Sequence, residues 1–236
     1  MEVRSIRTHK LHDISFKLHK GEILGFVGLV GAGRTEIVRA IYGADPAEGT
    51  VTVLGRKLTA RSPQKSIRNG LGLIPEDRKG QSILRLMSVK TNIIMASIGK
   101  AERCGILSGK RMAEAVRTYF DRMNIRPKNP EMPIANLSGG NQQKAVVARS
   151  LLANSSVLIF DEPTRGIDVG AKSEIYILMR ELVRQGKSII MVSSELPEVL
   201  LMSDRVLVMR EGRLTAELAR AEASEQTIMH YATGGK

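Results

Sequence analysis

A glycine-rich loop at positions 28–35, with the sequence G-L-V-G-A-G-R-T, carries the first chemical signal in this chain. Gly28 and Gly33 have the spacing of the phosphate-binding pattern G-x-x-x-x-G-K-[ST], but Arg34 stands where that pattern has lysine. Successive backbone N–H groups of such a loop, continued by the start of a helix, attract phosphate groups. The Thr35 hydroxyl is placed to bind Mg²⁺. These residues predict a nucleotide site in which arginine replaces the usual lysine.

Two neighbouring carboxylates follow the apolar run V-L-I-F further along the chain. The run predicts a buried strand that brings Asp161 and Glu162 to its carboxyl end, where open α/β sheets bind their ligands. Asp161 could hold Mg²⁺ there, and Glu162 could act as a general base toward an attacking water. Alternatively, the pair marks a solvated strand end, an interpretation that the upstream glycine loop and Pro163 weaken.

A second glycine turn occurs in the segment L-S-G-G-N-Q-Q-K at positions 137–144. Ser138 predicts the N-cap of a helix, and Gly139 and Gly140 leave backbone N–H groups uncovered at its positive end. Such an end can bind a phosphate group. A capped helix without a ligand would carry the same residues, so physical reasoning alone leaves both interpretations open.

The elements between these motifs alternate between strands and helices. I-L-G-F-V-G predicts a buried strand leading into the glycine loop, and T-E-I-V-R-A-I-Y predicts a helix that ends at Gly43. Residues 2–27 and 49–58 show short alternating strands, and residues 88–133 show helical periodicity closed by three prolines. Helix and strand alternate again in the remainder. This order predicts a largely parallel sheet covered on both faces.

Composition and charge narrow the class of protein. The chain has 236 residues with 42% apolar content, a single cysteine, Cys104, and no apolar run of the roughly 18 residues that a membrane span needs. The sequence also lacks the apolar segment of a signal peptide, so we expect a soluble, cytosolic protein without disulfides.

The net charge of +12 is concentrated in residues 1–150, which hold 26 Lys and Arg against 12 Asp and Glu. Such an excess suggests a polyanionic partner. With only 4 Tyr, 4 Phe and no Trp, however, the chain lacks the aromatic residues on which nucleic-acid bases stack, and we expect no nucleic-acid partner. Attraction to an anionic membrane surface and a generally solvated surface are the remaining explanations.

The combination and order of the motifs resemble one family in particular. G-L-V-G-A-G-R-T, L-S-G-G-N-Q-Q-K, L-I-F-D-E-P-T and G-I-D together resemble the nucleotide-binding domain of ABC transporters over essentially the whole chain. P-E-D-R-K-G, D-E-P-T-R-G-I-D-V-G-A-K and V-S-S-E-L-P-E-V-L resemble more narrowly the C-terminal half of the tandem ATPase subunits of bacterial ribose, galactose and xylose importers.

The resemblance implies a single ABC ATPase domain over residues 1–236. Its fold would be α/β, a P-loop NTPase with a mostly parallel sheet, an N-terminal antiparallel β subdomain and an inserted helical subdomain. Residues 1–87 and 151–236 would form the nucleotide-binding core with the β subdomain. Residues 88–150 would form the helical subdomain, ending in the signature motif.

The resemblance also implies roles for individual residues, with ATP and Mg²⁺ as ligands. Asp161 and Glu162 match the magnesium-binding and catalytic carboxylates, and Thr35 is the second metal ligand. The nucleotide-binding loop is matched by Gly28, Gly31, Ala32, Gly33, Arg34, Thr35 and Glu36. The signature that completes a partner's ATP site is matched by Ser138, Gly139, Gly140, Asn141 and Gln142.

Three positions lie in the loops that surround the nucleotide in this family. Glu76 occupies the place of the glutamine that contacts Mg²⁺ and the membrane partner, Ser194 occupies the place of the switch histidine, and Asp168 ends the G-I-D motif. No aromatic residue precedes the glycine loop at the adenine-stacking position, for which His9 and His12 are the nearest candidates. Arg34 and Ser194 together predict a site that binds nucleotide but hydrolyses it poorly.

ABC domains pair head to tail, so this chain is expected to lend its intact signature to a competent ATP site on an N-terminal half, intramolecular in a full-length subunit. The isolated chain should then be a weak ATPase. Transmembrane permease subunits would be direct partners and a periplasmic sugar-binding protein an indirect one, at the inner face of the plasma membrane. The alternatives are a nucleic-acid-associated ABC ATPase and a regulatory P-loop domain that does not hydrolyse nucleotide.

Overall fold

The computed structural model describes residues 1–58, 61–103 and 106–235, and the strands of this part form sheets of four, six and two strands. The strands are Glu2–Arg7 (β1), Ile14–Lys17 (β2), Ile23–Gly28 (β3), Glu48–Val53 (β4), Arg56–Lys57 (β5), Leu71–Ile74 (β6), Glu102–Arg103 (β7), Ile106–Leu107 (β8), Val157–Asp161 (β9), Ser188–Val192 (β10), Arg205–Arg210 (β11) and Arg213–Ala219 (β12).

The helices lie between these strands and after the last of them. The α-helices are Arg34–Tyr42 (α1), Pro63–Arg68 (α2), Val89–Ile94 (α3), Gly109–Arg122 (α4), Gly139–Leu152 (α5), Val169–Arg184 (α6), Leu196–Met202 (α7) and Glu225–Thr233 (α8). Shorter turns are a π-helical turn, Arg78–Ser82, and two 3₁₀ turns, Met95–Ala101 and Ile134–Asn136. Within the described ranges, no helix combines the length and the apolar content that crossing a membrane requires.

The six-stranded sheet has the order β12-β11-β3-β10-β9-β6, and its neighbours are parallel except for the β11–β12 pair. The four-stranded sheet, β2-β1-β4-β5, is antiparallel and comes from the first part of the chain. These two sheets confirm the predicted fold class, with a mostly parallel sheet and an N-terminal antiparallel one. Because β3 and β9 flank β10 and run parallel to it, the carboxyl ends of both strands lie on the same side of the sheet.

The parallel sheet is buried on both faces, which explains its nearly continuous apolar strands. On one face Leu24 and Phe26 pack with α1 and the antiparallel sheet, and the Phe16 and Phe26 rings meet edge to face at 5.0 Å. On the other face Phe160 packs with α5 and α6 and with the helices inserted after β6. Fully burying each such side chain contributes about 1.5–3 kcal/mol before the loss of entropy is counted.

Helix α1, which follows the glycine loop, has a buried face and an end that the sequence predicts. Its residues Ile37, Val38 and Ile41 are fully buried, as the apolar stripe predicts. The helix ends at Gly43, whose φ of +78° lies in the left-handed region and whose N–H bonds to the last turn. The stripe therefore sets the buried face of α1, and the terminal glycine sets its end.

Two local features differ from the sequence-based expectation. The region 88–133 was expected to be helical, but it also contains the hairpin β7–β8, whose short strands carry too few residues for an alternating pattern. The segment after β6, for which no element is predicted above, contains the π-helical turn Arg78–Ser82; at its start the Asp77 carboxylate accepts from Gly80 N. The proposed division into subdomains stays a prediction.

Candidate nucleotide site

The glycine loop joins β3 directly to α1. Gly31 and Gly33 have φ values of +81° and +100°, which residues with side chains rarely adopt. At Gly28 a Cβ atom would lie 2.3 Å from the carbonyl oxygen of Met209, so the loop can approach β11 only without a side chain there. No side chain in the described part of the chain caps the N-terminus of α1. Its first N–H groups therefore remain for an anion.

Other residues of the glycine loop are held in place by contacts with neighbouring segments. Ala32 is buried, its N–H donates to Leu29 O at 3.0 Å, and its carbonyl accepts from Gly212 N at 3.0 Å. The Glu36 carboxylate accepts from Lys10 Nζ at 2.8 Å on the first turn of α1. The tip is open to solvent, since Val30 is 97% exposed. The loop is thus anchored at both ends and accessible at its tip.

The Arg34 side chain lies against strand ends instead of extending over the glycine loop. Its Nη1 donates to Ser193 O at 2.7 Å, just past β10, and lies 3.9 Å from Glu162 Oε1. The Arg34 side chain is only 12% exposed. A lysine can curl over bound phosphates as a compact charge, whereas this planar guanidinium is already held by a carbonyl and a carboxylate.

Glu162 is contacted from two sides. Ser194 Oγ donates to its Oε2 at 3.1 Å, and Arg34 faces its Oε1. The backbone of Glu162 has a φ of +48°, uncommon for a residue with a side chain, and its N–H donates to Val192 O at 2.8 Å. The structure therefore brings together Arg34, Glu162 and Ser194, which the sequence singled out from three distant segments.

Asp161 ends β9 and is 2% exposed. Burial raises its pKa to about 6, with the neighbouring Glu162 acting in the same direction and the hydrogen bond from Thr35 opposing it. Thr35 Oγ1 donates to Asp161 Oδ1 at 3.3 Å. The charges of Arg34 and Arg39 lower the pKa more weakly than burial raises it. A buried carboxylate with a raised pKa is a group that a bound cation would satisfy.

The pair of Thr35 and Asp161 fits Mg²⁺. Hydroxyl and carboxylate oxygens are the hard ligands that Mg²⁺ prefers, and Mg²⁺ usually binds one or two such protein groups together with phosphate oxygens and water. The described residues contain no cluster of three or more His, Cys, Asp or Glu that could hold a metal without phosphate. The site suits a metal that arrives with a nucleotide, and the metal would offset charge on the phosphate oxygens.

The signature residues form a separate group at the start of α5. Ser138 is the N-cap, and its Oγ accepts from Asn141 N at 3.4 Å and from Asn141 Nδ2 at 2.9 Å. Around Gly139 the nearest atoms are Gly166 O and the Arg78 guanidinium, and Gly140 packs against Ala171. The side chain of Gln142 is buried at 5% exposure. The capping predicted for Ser138 is observed.

Other loop positions make contacts of their own. Glu76 is paired with Arg165 on the loop between β9 and α6. Asp168 caps α6, since its Oδ1 accepts from Ala171 N at 2.9 Å. His9 and His12 are both exposed, and His9 lines an open hollow of about 540 Å³. No Phe, Tyr or Trp lines this hollow in the described structure.

Sequence reasoning missed a buried network beneath the site. Glu198 is 4% exposed and accepts from Thr164 Oγ1 at 2.7 Å and from Ser193 Oγ. Tyr176 also hydrogen-bonds to Glu198, and burial together with this bond raises the pKa of Tyr176. Because glutamate on a short helix is usually exposed, no pattern in the sequence indicates that Glu198 is buried.

A glycine loop between a parallel strand and a helix, with a carboxylate pair at the end of a nearby strand, defines the class of P-loop nucleotide-binding proteins. A family model described as ABC transporter matches residues 11–165. The chain therefore belongs to the ABC transporter family, and its fold is that of the ABC ATPase domain.

Curated relatives align with nearly the whole chain. It is 50% identical over 236 residues to a putative ribose/galactose/methyl galactoside import ATP-binding protein 2 of Burkholderia cenocepacia, covering 99% of this chain and 46% of the relative. It is 51% identical to ribose import ATP-binding protein RbsA 1 of Rubrobacter xylanophilus, covering 100% and 48%. The chain thus spans about half the length of the curated relatives that it matches.

Solved structures share the fold at lower sequence identity. The ADP conformation of an ABC transporter's ATP-binding cassette superposes with a TM-score of 0.83 at 21% identity, covering 99% of this chain and 98% of that one. A nucleotide-free cassette superposes with a TM-score of 0.81 at 19% identity, covering 98% and 97%. The architecture is therefore retained where most side chains differ.

Proposed function

We propose that this chain is the ATP-binding and ATP-hydrolysing C-terminal half of the ATPase subunit of a monosaccharide importer. The names of the relatives, which include a xylose import ATP-binding protein of Moorella thermoacetica at 48% identity, support a sugar of the ribose, galactose or xylose type as the transported substrate. The match of this chain to about half of each relative supports a second half as its partner.

The chain's own nucleotide site is degenerate. The observation that carries this proposal is the position of Arg34, which donates to Ser193 O and faces Glu162. In this arrangement, the cation of the loop neutralises the carboxylate that would activate water, and the phosphates lose a preorganised donor. Loss of one such donor reduces a rate by about a hundredfold or more, corresponding to about 3 kcal/mol.

The other role of the chain is to complete the ATP site of the partner half. Ser138 and the uncovered N–H groups of Gly139 and Gly140 lie at the positive end of the 14-residue helix α5. They would bind and orient phosphate oxygens presented by the partner's glycine loop. Within the chain's own site, Thr35 and Asp161 would hold Mg²⁺, and the loop residues Gly28, Gly31, Ala32, Gly33, Arg34, Thr35 and Glu36 would surround the phosphates.

Further partners follow from the same assignment. Permease subunits in the membrane would contact this chain directly, a periplasmic sugar-binding protein would act through them, and the chain would work on the cytoplasmic side of the plasma membrane. Residues 88–150 would act as the helical subdomain that ends in the signature. The net charge of +12 would assist attachment near an anionic membrane surface.

The experiment compares phosphate release from ATP by this chain alone, by a cognate N-terminal half alone and by their mixture, with Mg²⁺ present. We expect slow release by either part and at least tenfold faster release by the mixture, because only the mixture joins a competent loop to this signature. Vigorous turnover by the chain alone, equal to that of the mixture, would contradict the asymmetry.

Two further readouts separate the alternatives. Nucleotide binding without phosphate release in any of the three samples would favour a regulatory domain. Retention of DNA or RNA by the chain at physiological ionic strength, lost steeply as salt is raised, would favour a nucleic-acid-associated ATPase.

A further inference from the structure

The hydroxyl group of Ser138 accepts two hydrogen bonds from one neighbour, Asn141. The backbone N–H of Asn141 donates to Ser138 Oγ at 3.4 Å, and its side-chain Nδ2 donates to the same atom at 2.9 Å. A serine hydroxyl has two acceptor lone pairs and a single O–H donor. Because both lone pairs are engaged, Ser138 can form a further hydrogen bond only by donating its O–H.

The orientation of the Asn141 amide is fixed from its other end. The backbone N–H of Arg126 donates to Asn141 Oδ1 at 2.9 Å. A backbone N–H can only donate, so the amide atom that faces it is the carbonyl oxygen, and the NH₂ group has to face Ser138. The flipped amide would bring two donors together at Arg126 and lose this hydrogen bond.

The loop that follows α4 holds the Arg126 N–H in place. The preceding residue, Ile125, is 1% exposed and packs in the same apolar core as Ala145 and Val146 of α5. The donor to Asn141 and the helix that carries Asn141 are therefore anchored in one core. This anchoring keeps the amide, and with it the hydrogen bonds to Ser138, in a single arrangement.

Other N-caps of the chain leave the direction of the hydroxyl open. The Ser88 hydroxyl lies 2.9 Å from that of Thr91 at the start of α3, and either oxygen can be the donor. The Ser224 and Thr227 hydroxyls have the same relationship at the start of α8, at 2.8 Å. The NH₂ group of Asn141 cannot accept, so it excludes the direction in which the cap donates to its own helix.

The O–H of Ser138 is directed outward. Ser138 is exposed at the positive end of the 14-residue helix α5. In the part of the chain that the structure describes, its O–H donates to no group. Besides water, the acceptors that this hydroxyl can meet lie outside the chain, and the positive helix end favours acceptors that carry negative charge.

We propose that Asn141 is a positioning residue that directs the Ser138 O–H toward the phosphate oxygens of the nucleotide bound by the partner half. The inference rests on the proposed function, in which this segment completes the partner's ATP site. It gives Asn141 a role other than contact with the nucleotide, since both polar atoms of its side chain are used within the chain, by Arg126 and by Ser138. A donor that is already oriented needs no reorganisation when charge develops on the phosphate.

Asn141→Asp tests the proposal, because a carboxylate has nearly the shape of the amide but can only accept. One oxygen still accepts from Arg126 N, whereas the other accepts the Ser138 O–H and turns it away from the phosphate. In the mixture of this chain with a cognate N-terminal half, we expect kcat for phosphate release to fall by about tenfold or more. KM for ATP should change by less than about threefold, because the lost interaction acts mainly in the transition state.

Two controls separate this effect from the added charge and from folding. Asn136→Asp places the same charge on an exposed residue near Ser138 and should lower kcat by less than about threefold. In the Ser138→Ala background, Asn141→Asp should lower kcat by no more than Asn136→Asp does in the unmodified chain, because the hydroxyl through which it acts is gone. Circular dichroism checks the fold, which an aspartate in the first turn of a helix should not weaken.

The outcomes distinguish the inference from the proposed function. If the unmodified mixture releases phosphate no faster than its separate parts, the proposed function fails and the inference fails with it. If the mixture is active and Asn141→Asp lowers kcat no more than Asn136→Asp does, the role of Asn141 alone is overturned. A fall in kcat that persists at full size in the Ser138→Ala background would overturn it as well, because Asn141 would then act by charge or by a contact of its own.

Discussion

Arg34 Nη1 lies 3.9 Å from Glu162 Oε1, and the two side chains are 12% and 11% exposed. One residue belongs to the glycine loop and the other follows β9, so their pairing connects the phosphate-binding element to the proposed general base. Ser194 donates to the other oxygen of the same carboxylate. Glu162 is therefore engaged by two groups before any substrate is present, and Arg34 is turned away from the position in which it would serve phosphates.

Replacing Arg34 by lysine should partly restore the nucleotide site. Lysine cannot bridge Ser193 O and Glu162 as the guanidinium does, and its compact ammonium can reach over bound phosphates. We expect tighter ATP binding and at least tenfold faster phosphate release by the chain, a change of about 1.4 kcal/mol or more in the barrier. Single-turnover phosphate release with Mg²⁺ measures the effect.

Arg39→Lys provides the matched control on the same helix. Arg39 makes a two-pronged pair with Asp45 through Nε and Nη2, both at 2.7 Å, away from Glu162. This variant should change turnover by less than twofold. Equal rates for Arg34→Lys and the unmodified chain would show that the contact with Glu162 does not limit the site.

Ser138→Ala should reduce the activity of the mixed halves while leaving the chain folded. Ser138 caps α5, and loss of an N-cap lowers the free energy of unfolding by about 1 kcal/mol. We expect turnover of the mixture to fall by at least tenfold, since an oriented donor to the partner's phosphates is lost. Ser108→Ala removes the N-cap of α4 by the same chemistry and should leave the turnover unchanged. If the two variants reduce turnover equally, helix stability would account for the effect.

The sequence predicted those parts of the fold in which local pattern and tertiary environment agree. The apolar run of β3 predicts a buried strand, the apolar stripe of α1 predicts a helix with one buried face, and Gly43 predicts a left-handed helix end. The structure has all three. The pairing of β7 with β8 was not predicted, because strands of two residues are too short to show an alternating pattern. The π-helical turn was not predicted either, because its hydrogen-bonding pattern depends on how the buried Arg78 packs.

The site residues were predictable as types and positions, but their partners were not. Glycine spacing and a carboxylate pair predict a phosphate site from the sequence alone. That Arg34 binds Ser193 O depends on how β10 and α1 are placed, and no pattern in either segment indicates it. Glu198 is hidden in the same way, because its burial results from contacts with Thr164 and Ser193 on two other elements.

Asp161→Asn should stabilise the chain in the absence of nucleotide and metal at neutral pH. Burial raises the folded-state pKa of Asp161 from 3.8 to about 6, so the fold disfavours the charged form. The destabilising contribution is absent well below pH 3.8, where the group is protonated in both states, and it is complete above about pH 6. The variant should gain on the order of 2–3 kcal/mol at pH 8 and lose that advantage as the pH falls toward 4.

Urea unfolding at pH 8 and at pH 4 with EDTA present measures this difference. Asp121→Asn is the control, since its carboxylate on α4 is 57% exposed and should contribute less than about 0.5 kcal/mol at either pH. A stabilisation by Asp161→Asn that is equal at both pH values would contradict the assignment to a desolvated charge.

Glu198 should position the strand end that carries Ser193 and Ser194. Its carboxylate accepts from Thr164 Oγ1 and Ser193 Oγ, and Ser193 O in turn accepts from Arg34. Glu198→Ala should lower the free energy of unfolding by about 2–5 kcal/mol, because it leaves buried hydroxyls without an acceptor and opens a void. Glu198→Gln retains the volume and one carbonyl oxygen and should lose about 1–2 kcal/mol.

The control for this network is Glu195→Gln, which changes an exposed carboxylate only three residues away in the sequence. Glu195 pairs with Lys172 at an exposed position and should contribute less than about 1 kcal/mol. The Arg34→Lys gain in phosphate release should also shrink in the Glu198→Gln background, because Ser193 would no longer be held in one place. An unchanged gain there would mean that Glu198 acts only on stability, and a loss of stability equal to that of Glu195→Gln would show that the buried hydroxyls find other acceptors.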